Sequence, residues 1–213
     1  MKKYLVKTPV VVQRMFPKRL WTLADDSNPL YLTFDDGPIP EVTPWVLDML
    51  KDFNAKATFF CIGENVRKQP ELFKRIVEEG HSIGNHTYSH LKGWKSYATD
   101  YLSNVKNSAD EMGRILPQYS GELLFRPPYG KITTEQAGLL QKEGYKIVMW
   151  DVLSFDWDSG ISGDRCFKNV SENIANGSIV VFHDSLKAEK NLRYVLPKVL
   201  ELAVARKYTL KAL

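Results

Sequence analysis

The sequence predicts an α/β fold, a parallel sheet with helices on its outer side. Three observations lead there. Short apolar runs recur along the 213-residue chain, stretches of helical spacing alternate with them, and several of those stretches end at a glycine. Short continuous apolar runs mark strands covered on both faces. Strand–helix units in series imply parallel pairing.

The strand-like runs cover residues 30–34, 57–61, 82–84, 123–126, 146–150, 178–182 and 208–210. Helical stretches cover 43–52, 70–79, 97–116, 133–143, 165–175 and 192–206. Thr43-Pro44 gives the first of these a start signal, and Gly80, Gly144 and Gly177 close three others. Seven strands predict a closed or nearly closed barrel, slightly smaller than the eight-stranded kind; an open doubly wound sheet is the alternative. Either architecture collects its active site at the carboxyl ends of the strands.

Residues 30–213 are read as a single domain, and residues 1–29 as an extension packed on it. Hydrophobic residues at 44% and charged residues at 25% are ordinary for a soluble protein. The net charge of +4 is spread without long runs, which argues against a nucleic-acid patch. Cys61 and Cys166 form neither a CxxC pair nor a zinc-ribbon spacing, and fit a reducing compartment. The two lysines after Met1 resemble a secretory leader, but Lys7, Pro9 and Arg14 break its apolar core. A cytoplasmic or inner-membrane-associated location is therefore expected. Residues 9–16 predict a short helix with Pro9 at its first position. It is expected to pack on the domain; six basic residues between Lys2 and Arg19 leave a weak contact with an anionic membrane surface as the alternative. No stretch approaches eighteen apolar residues, so no transmembrane helix is expected.

The chemistry-bearing residues follow the strands. Asp35 and Asp36 end the first, before Gly37-Pro38. Adjacent carboxylates repel unless a metal or an arginine sits beside them. His86 and His90 follow the third strand at i and i+4, a spacing that puts both imidazoles on one face of a helical turn. Thr87 stands where an HExxH site has its glutamate, so the base must lie elsewhere. Two histidines and Asp36 leave open positions on a divalent ion, the catalytic pattern. Arg126 opens Arg126-Pro127-Pro128-Tyr129-Gly130 after the fourth strand. It can hold a carboxylate in bidentate fashion, and the N–H of Tyr129 is a candidate oxyanion donor. Asp151, Asp156 and Trp157 follow the fifth strand; His183 and Asp184 follow the sixth.

Taken in order, Thr33-Phe34-Asp35-Asp36-Gly37-Pro38, His86-Thr87-Tyr88-Ser89-His90 and Arg126-Pro127-Pro128-Tyr129-Gly130 resemble the motifs of the polysaccharide deacetylases of carbohydrate esterase family 4, the NodB homology domain. The resemblance runs from about residue 30 past Phe182. It implies a distorted (β/α)7 barrel and a metal-dependent N-deacetylase of N-acetylated oligo- or polysaccharides. By that resemblance Asp35 is the general base, Asp36, His86 and His90 bind one divalent metal, and Arg126 orients the base. Zinc is the first expectation for the metal, with cobalt or another divalent ion as alternatives. Asp156 supports the general acid His183, Trp157 walls the acetyl pocket, and Val181 lies beneath the acetyl methyl. Leu153 stands where members often have aspartate, and Val181 where leucine is common.

Three other functions compete. Two histidines and a carboxylate also bind Fe(II) in oxygenases. A carbohydrate-binding domain without turnover would keep the fold. A deacetylase or deformylase of a lipid-linked sugar, or an O-deacetylase of xylan, would keep the mechanism. The sequence leaves the oligomeric state open.

Overall fold

A computed structural model describes residues 5–213; Lys2 and Lys3 of the basic run lie outside the described residues. The strands are β1 (Pro29–Asp35), β2 (Thr58–Cys61), β3 (Ser82–Asn85), β4 (Leu124–Phe125), β5 (Lys146–Ile147), β6 (Val152–Leu153), β7 (Ile179–His183) and β8 (Thr209–Leu210). The helices are α1 (Val10–Met15), α2 (Thr43–Asp52), α3 (Gly63–Lys68), α4 (Pro70–Glu78), α5 (Ala98–Ile115), α6 (Thr134–Lys142), α7 (Gly163–Ser171) and α8 (Glu189–Ala205). Seven parallel strands form one sheet in the order β5-β4-β3-β2-β1-β7-β6, and β8 adds to the start of β1. Local chemistry sets several helix starts. Pro44 and Pro70 occupy first-turn positions, and Thr133 and Gln136 form a capping box at α6.

Two elements differ from the sequence expectation. The strand read over 146–150 is shorter, since β5 stops at Ile147, and an additional strand, β6, forms beyond it and pairs with β7. The helix α3 was not expected; its six residues are too few to show a periodic pattern. β5 and β6 lie at opposite ends of the sheet path, so the half-barrel is open between them.

The N-terminal segment occupies that opening. Leu20 bridges to Val148, Lys7 to Val152 and Thr22 to Ser178. Leu20 N–H donates to the Ile147 carbonyl at 2.8 Å, Met149 N–H to Leu20 at 2.7 Å, and Leu153 N–H to Val6 at 2.9 Å. Lys7 Nζ reaches the buried Asp151 carboxylate at 2.6 Å, and Ser178 Oγ donates to the same oxygen at 2.5 Å. Gly177, at φ +81°, lets the chain pass closely; a Cβ there would stand 2.4 Å from the Ala24 nitrogen. The side chains of Val12 and Phe16 pack on the cluster around Trp21, Phe125 and Leu140. Trp21 is the buried anchor, so Trp21→Ala should cost about 3–5 kcal/mol. Urea unfolding measures this, and an unchanged midpoint would detach the segment from the folding core.

Period-two alternation builds two different faces on β1. Leu30, Leu32 and Phe34 join the large cluster formed with α2, α4, α7 and α8. Tyr31 belongs to a second cluster with Phe60, Leu124, Val148 and Ile179. Thr33 and Asp35 continue along that second face, and the register places Tyr31 beside Ile179, Thr33 beside Val181, and Asp35 beside His183. The face therefore turns from apolar to ionisable toward the strand ends. That gradient positions the site. No helix of the described residues is long and apolar enough to cross a membrane.

Candidate active site

Arg126 is the largest fully buried side chain among the described residues. Its Nη1 donates to Asp35 Oδ1 and to Thr33 Oγ1, both at 2.7 Å; Nη2 donates to Met149 O at 3.0 Å and Nε to Val148 O at 3.4 Å. The guanidinium lies 4.0 Å above the Phe60 ring. The sequence allowed a bidentate grip on a carboxylate. The structure instead uses one nitrogen for Asp35 and the others for backbone carbonyls, because the strand ends leave two carbonyls to satisfy in the interior. Burial pushes the Asp35 carboxyl up, but Arg126, with His86 and His183, outweighs this and holds its pKa below the ordinary value.

Asp36 leaves the strand at φ +84°, and its carbonyl accepts from Asn65 Nδ2 at 2.8 Å. Its Oδ1 is buried and has no hydrogen-bond donor. Facing it are His90 Nε2 at 3.4 Å and His86 Nε2 at 3.7 Å. His86 Nδ1 lies 2.7 Å from the Arg126 carbonyl, which makes Nδ1 the protonated nitrogen and leaves the Nε2 lone pair toward Asp36. Burial lowers the His90 pKa to about 4, so this imidazole is neutral. One ligand atom from each of Asp36, His86 and His90 falls within 4.8 Å of the others. An orphaned carboxylate oxygen and two imidazole nitrogens facing it fit a divalent cation.

The two histidines do not share a helical turn. Residues 86–90 form a loop, with Thr87 and His90 at φ +65° and +55°. Side chains hold its shape: Thr87 N–H donates to Asn85 Oδ1 at 2.8 Å, and Tyr88 and Ser89 N–H donate to Asn104 Oδ1 at 2.8 and 3.2 Å. The i, i+4 spacing works here through an Asn-pinned turn.

Opposite stands His183. Its Nδ1 is 2.9 Å from Asp156 Oδ1, and its backbone N–H donates to Asp156 Oδ2 at 2.7 Å. Burial opposes charge on this imidazole. The Asp156 carboxylate, its hydrogen bond, and Asp36 and Asp35 prevail and raise the pKa to about 9. Asp156 is itself fully buried and takes a further bond from Ser154 Oγ at 3.0 Å. Asp151, by contrast, points away and serves Lys7 and Ser178.

A cleft of about 510 Å³ connects these groups. Asp35, Asp36, His86, His90, Tyr129, Trp157, Val181 and His183, all read from the sequence, line it. Trp157 lies 4.6 Å, centroid to centroid, from His183, and Tyr129 the same distance from His90. Tyr129, at φ +60°, sits in a tight turn closed by Gly130 and Lys131 N–H onto Pro127 and Pro128. Sequence reasoning left out Trp150, Ser185 and Lys187, which also line the cleft. It also gave no role to Asp184, whose oxygens accept from Gly37 N–H at 3.0 Å and Thr43 Oγ1 at 2.6 Å. Its position beside His183 was the available signal. Burial raises the Asp184 pKa to about 8 against those two hydrogen bonds. A Cβ at Gly37 would fall 1.9 Å from Asp184 Oδ2. Gly37→Ala should therefore cost about 1–3 kcal/mol and displace Asp36. Titration with divalent metal ions should show weakened binding, and parental affinity would disconnect this clamp from Asp36.

The matching family model, described as polysaccharide deacetylase, covers residues 23–148. A peptidoglycan-N-acetylglucosamine deacetylase of Bacillus cereus is 43% identical over 154 residues, 72% of this chain and 55% of that protein. The chain thus spans about half the length of this relative. A chitooligosaccharide deacetylase of Bradyrhizobium sp. is 38% identical over 156 residues, 73% of this chain and 70% of the other. The crystal structure of a peptidoglycan N-acetylglucosamine deacetylase in complex with 4-naphthalen-1-yl-N-oxidanyl-benzamide shares the fold at a TM-score of 0.87 and 34% identity, over 97% of this chain and 95% of that one. Fold, motif order and sequence agree, and the chain belongs to the polysaccharide deacetylase family, the carbohydrate esterase family 4 that its motifs resemble.

Proposed function

We propose that the protein is a metal-dependent N-deacetylase that hydrolyses the acetamide of N-acetylated sugars in glycans of the peptidoglycan or chitooligosaccharide type. One observation carries this reading. The unpartnered Asp36 Oδ1 faces two imidazole nitrogens in a cleft lined also by Asp35, clamped by Arg126, and His183, clamped by Asp156. The names of the relatives support the substrate class.

Asp36, His86 and His90 are the residues to hold one divalent ion, and their nitrogen-rich set favours zinc. Such an ion, when bound, polarises the acetyl carbonyl and acidifies the attacking water. Asp35, kept ionised by Arg126, takes the proton of that water. The Tyr129 N–H donates to the carbonyl oxygen as negative charge develops there. His183, protonated at neutral pH, delivers a proton to the leaving nitrogen as its bond to the acetyl carbon breaks. Acetate and a free amine result. Trp157, Val181 and Leu153 wall the acetyl methyl. A general acid that stays protonated at neutral pH favours the amide over the ester reading, because an amine leaves poorly without a proton while an alcohol leaves more readily.

Acetate release from chitooligosaccharides, peptidoglycan fragments and acetylated xylan, with and without added zinc, tests the proposal. Asp35→Asn should keep one metal per chain and lose about 10²–10⁴ in kcat, whereas His86→Ala should lose the metal. Full metal stoichiometry in His86→Ala, or acetate release that is indifferent to chelation, would sink it.

A further inference from the structure

We infer that Trp94 and Tyr129, flanked by Lys92 and Lys131, form a subsite for a second sugar ring of the glycan, one that carries a carboxylate. This rests on the deacetylase reading and extends it from the reacting acetamide to the neighbouring residue of the chain.

The surface begins at the proposed metal site. Tyr129 packs against His90, and Trp94 meets Tyr129 edge-on, with centroids 5.3 Å apart and an interplanar angle of 88°. The two rings run outward from the reacting centre. Trp94 is 38% exposed and Tyr129 52%, whereas large aromatic side chains ordinarily bury most of their area. Exposed rings beside a cleft offer their surfaces to the C–H face of a pyranose.

The mount is rigid. Trp94 lies on a single 3₁₀ turn, Gly93–Lys95. Gln136, 1% exposed, donates from Nε2 to the Gly93 carbonyl at 2.9 Å and the Ser96 carbonyl at 3.3 Å, while its Oε1 accepts from Thr133 N–H at 3.1 Å. A Cβ at Gly93 would fall 2.8 Å from that Oε1, so the turn is built tightly on Gln136. A buried side chain committed to three backbone groups fixes the tryptophan where nothing in the catalytic set requires it.

Two cations flank these rings. Lys131 Nζ stands 5.0 Å from the Trp94 ring centre, and Lys92 Nζ 5.5 Å from that of Tyr129. The ion pairs that lysines make among the described residues use other lysines. Of the two rings only Tyr129 lines the cleft, and Lys92 and Lys131 add two cations where the ring surface leaves it. A neutral oligosaccharide would engage the rings alone. A strand whose acetamido sugars alternate with sugars bearing a free ether-linked carboxylate, as in peptidoglycan strands freed of their stem peptides, would engage rings and cations together.

The test measures kcat/KM on two glycans of equal length, one neutral and one bearing free carboxylates, and on the acidic glycan with its carboxylates amidated. The Lys92→Gln/Lys131→Gln double variant should lower the acidic-to-neutral ratio of kcat/KM by about fivefold or more, acting through KM. Amidation should reproduce that loss in the parent, and 0.5 M salt should diminish it. Trp94→Ala should reduce the preference for a tetrasaccharide over a monosaccharide by about tenfold, with Trp94→Phe retaining most of it. An unchanged acidic-to-neutral ratio overturns the carboxylate assignment. A fall in zinc affinity in Trp94→Ala, tracking its loss of activity, overturns the subsite, since the ring would then serve His90 through Tyr129. Calorimetric binding of the same glycans to Asp35→Asn separates the two ideas. Discrimination there without acetate release in the parent would fail the deacetylase reading alone; no discrimination would fail the subsite.

Discussion

Arg126→Met should cost about 3–5 kcal/mol at pH 7, because it leaves the Asp35 carboxylate buried without its partner. Methionine preserves much of the side-chain volume, so the loss is electrostatic and not a cavity effect. Four other acceptor contacts also go: Thr33 Oγ1, the Val148 and Met149 carbonyls, and the face of Phe60. In the parent, Asp35 is held below its ordinary pKa, so its pairing stabilises the fold above the unfolded value near 4 and is lost as pH falls through the folded one. Without Arg126 the sign inverts. Burial then dominates, the folded pKa rises above the unfolded one, and the penalty is present at neutral pH and relieved on acidification. Urea midpoints for parent and variant should converge as pH drops from 7 toward 4. The double variant Arg126→Met/Asp35→Asn should be more stable at pH 7 than Arg126→Met alone. A single variant as stable as the parent, or one whose deficit grows on acidification, would contradict the charge argument. Activity should fall with stability, since a base protonated at neutral pH cannot accept the water's proton.

How much of this was legible beforehand depends on the length of the signal. β1 declares itself through seven buried residues with apolar and functional faces alternating, and the Asp35–His183 register follows from pairing two such strands. The strand-end rule then placed the dispersed motifs at one face, where Asp35, His86, Arg126 and His183 do converge. β6 stayed hidden because it is two residues long and surrounded by Asp151 and Ser154, which read as loop. Both polar residues are buried and bonded, but burial of a polar side chain is a tertiary fact. The closure of the open side of the half-barrel was equally invisible. The segment from Val6 to Leu23 pairs as isolated bridges, which need no periodic pattern and leave none. The loop holding His86 and His90 shows a third limit. Spacing i, i+4 is satisfied by a helical turn and also by an Asn-pinned loop, and only Asn85 and Asn104 distinguish them.

His183 carries the other large effect. Its pKa, raised from 6.5 to about 9, makes it a proton donor through the neutral range, and a divalent cation among Asp36, His86 and His90 draws that value down from 9. Activity on N-acetyl substrates should therefore decline on an alkaline limb lying between these values. In Asp156→Asn the imidazolium loses the carboxylate that supports it, and the limb should move to lower pH by about 1–3 units. Zinc affinity should stay near that of the parent, since neither residue belongs to the ligand set. Stability supplies an independent readout of the same shift. A histidine whose folded pKa is raised stabilises fully below its unfolded value of 6.5 and loses that contribution as pH rises through about 9. The stability gap between parent and Asp156→Asn should accordingly be wide at pH 6 and narrow by pH 10. His183→Ala should lose about 10²–10⁴ in kcat on acetamides, yet be partly rescued on an aryl acetate, whose phenolate departs without a proton. Equal losses on both substrates, or an alkaline limb unmoved in Asp156→Asn, would show that His183 holds substrate and that the proton reaches the leaving amine from another group in the cleft.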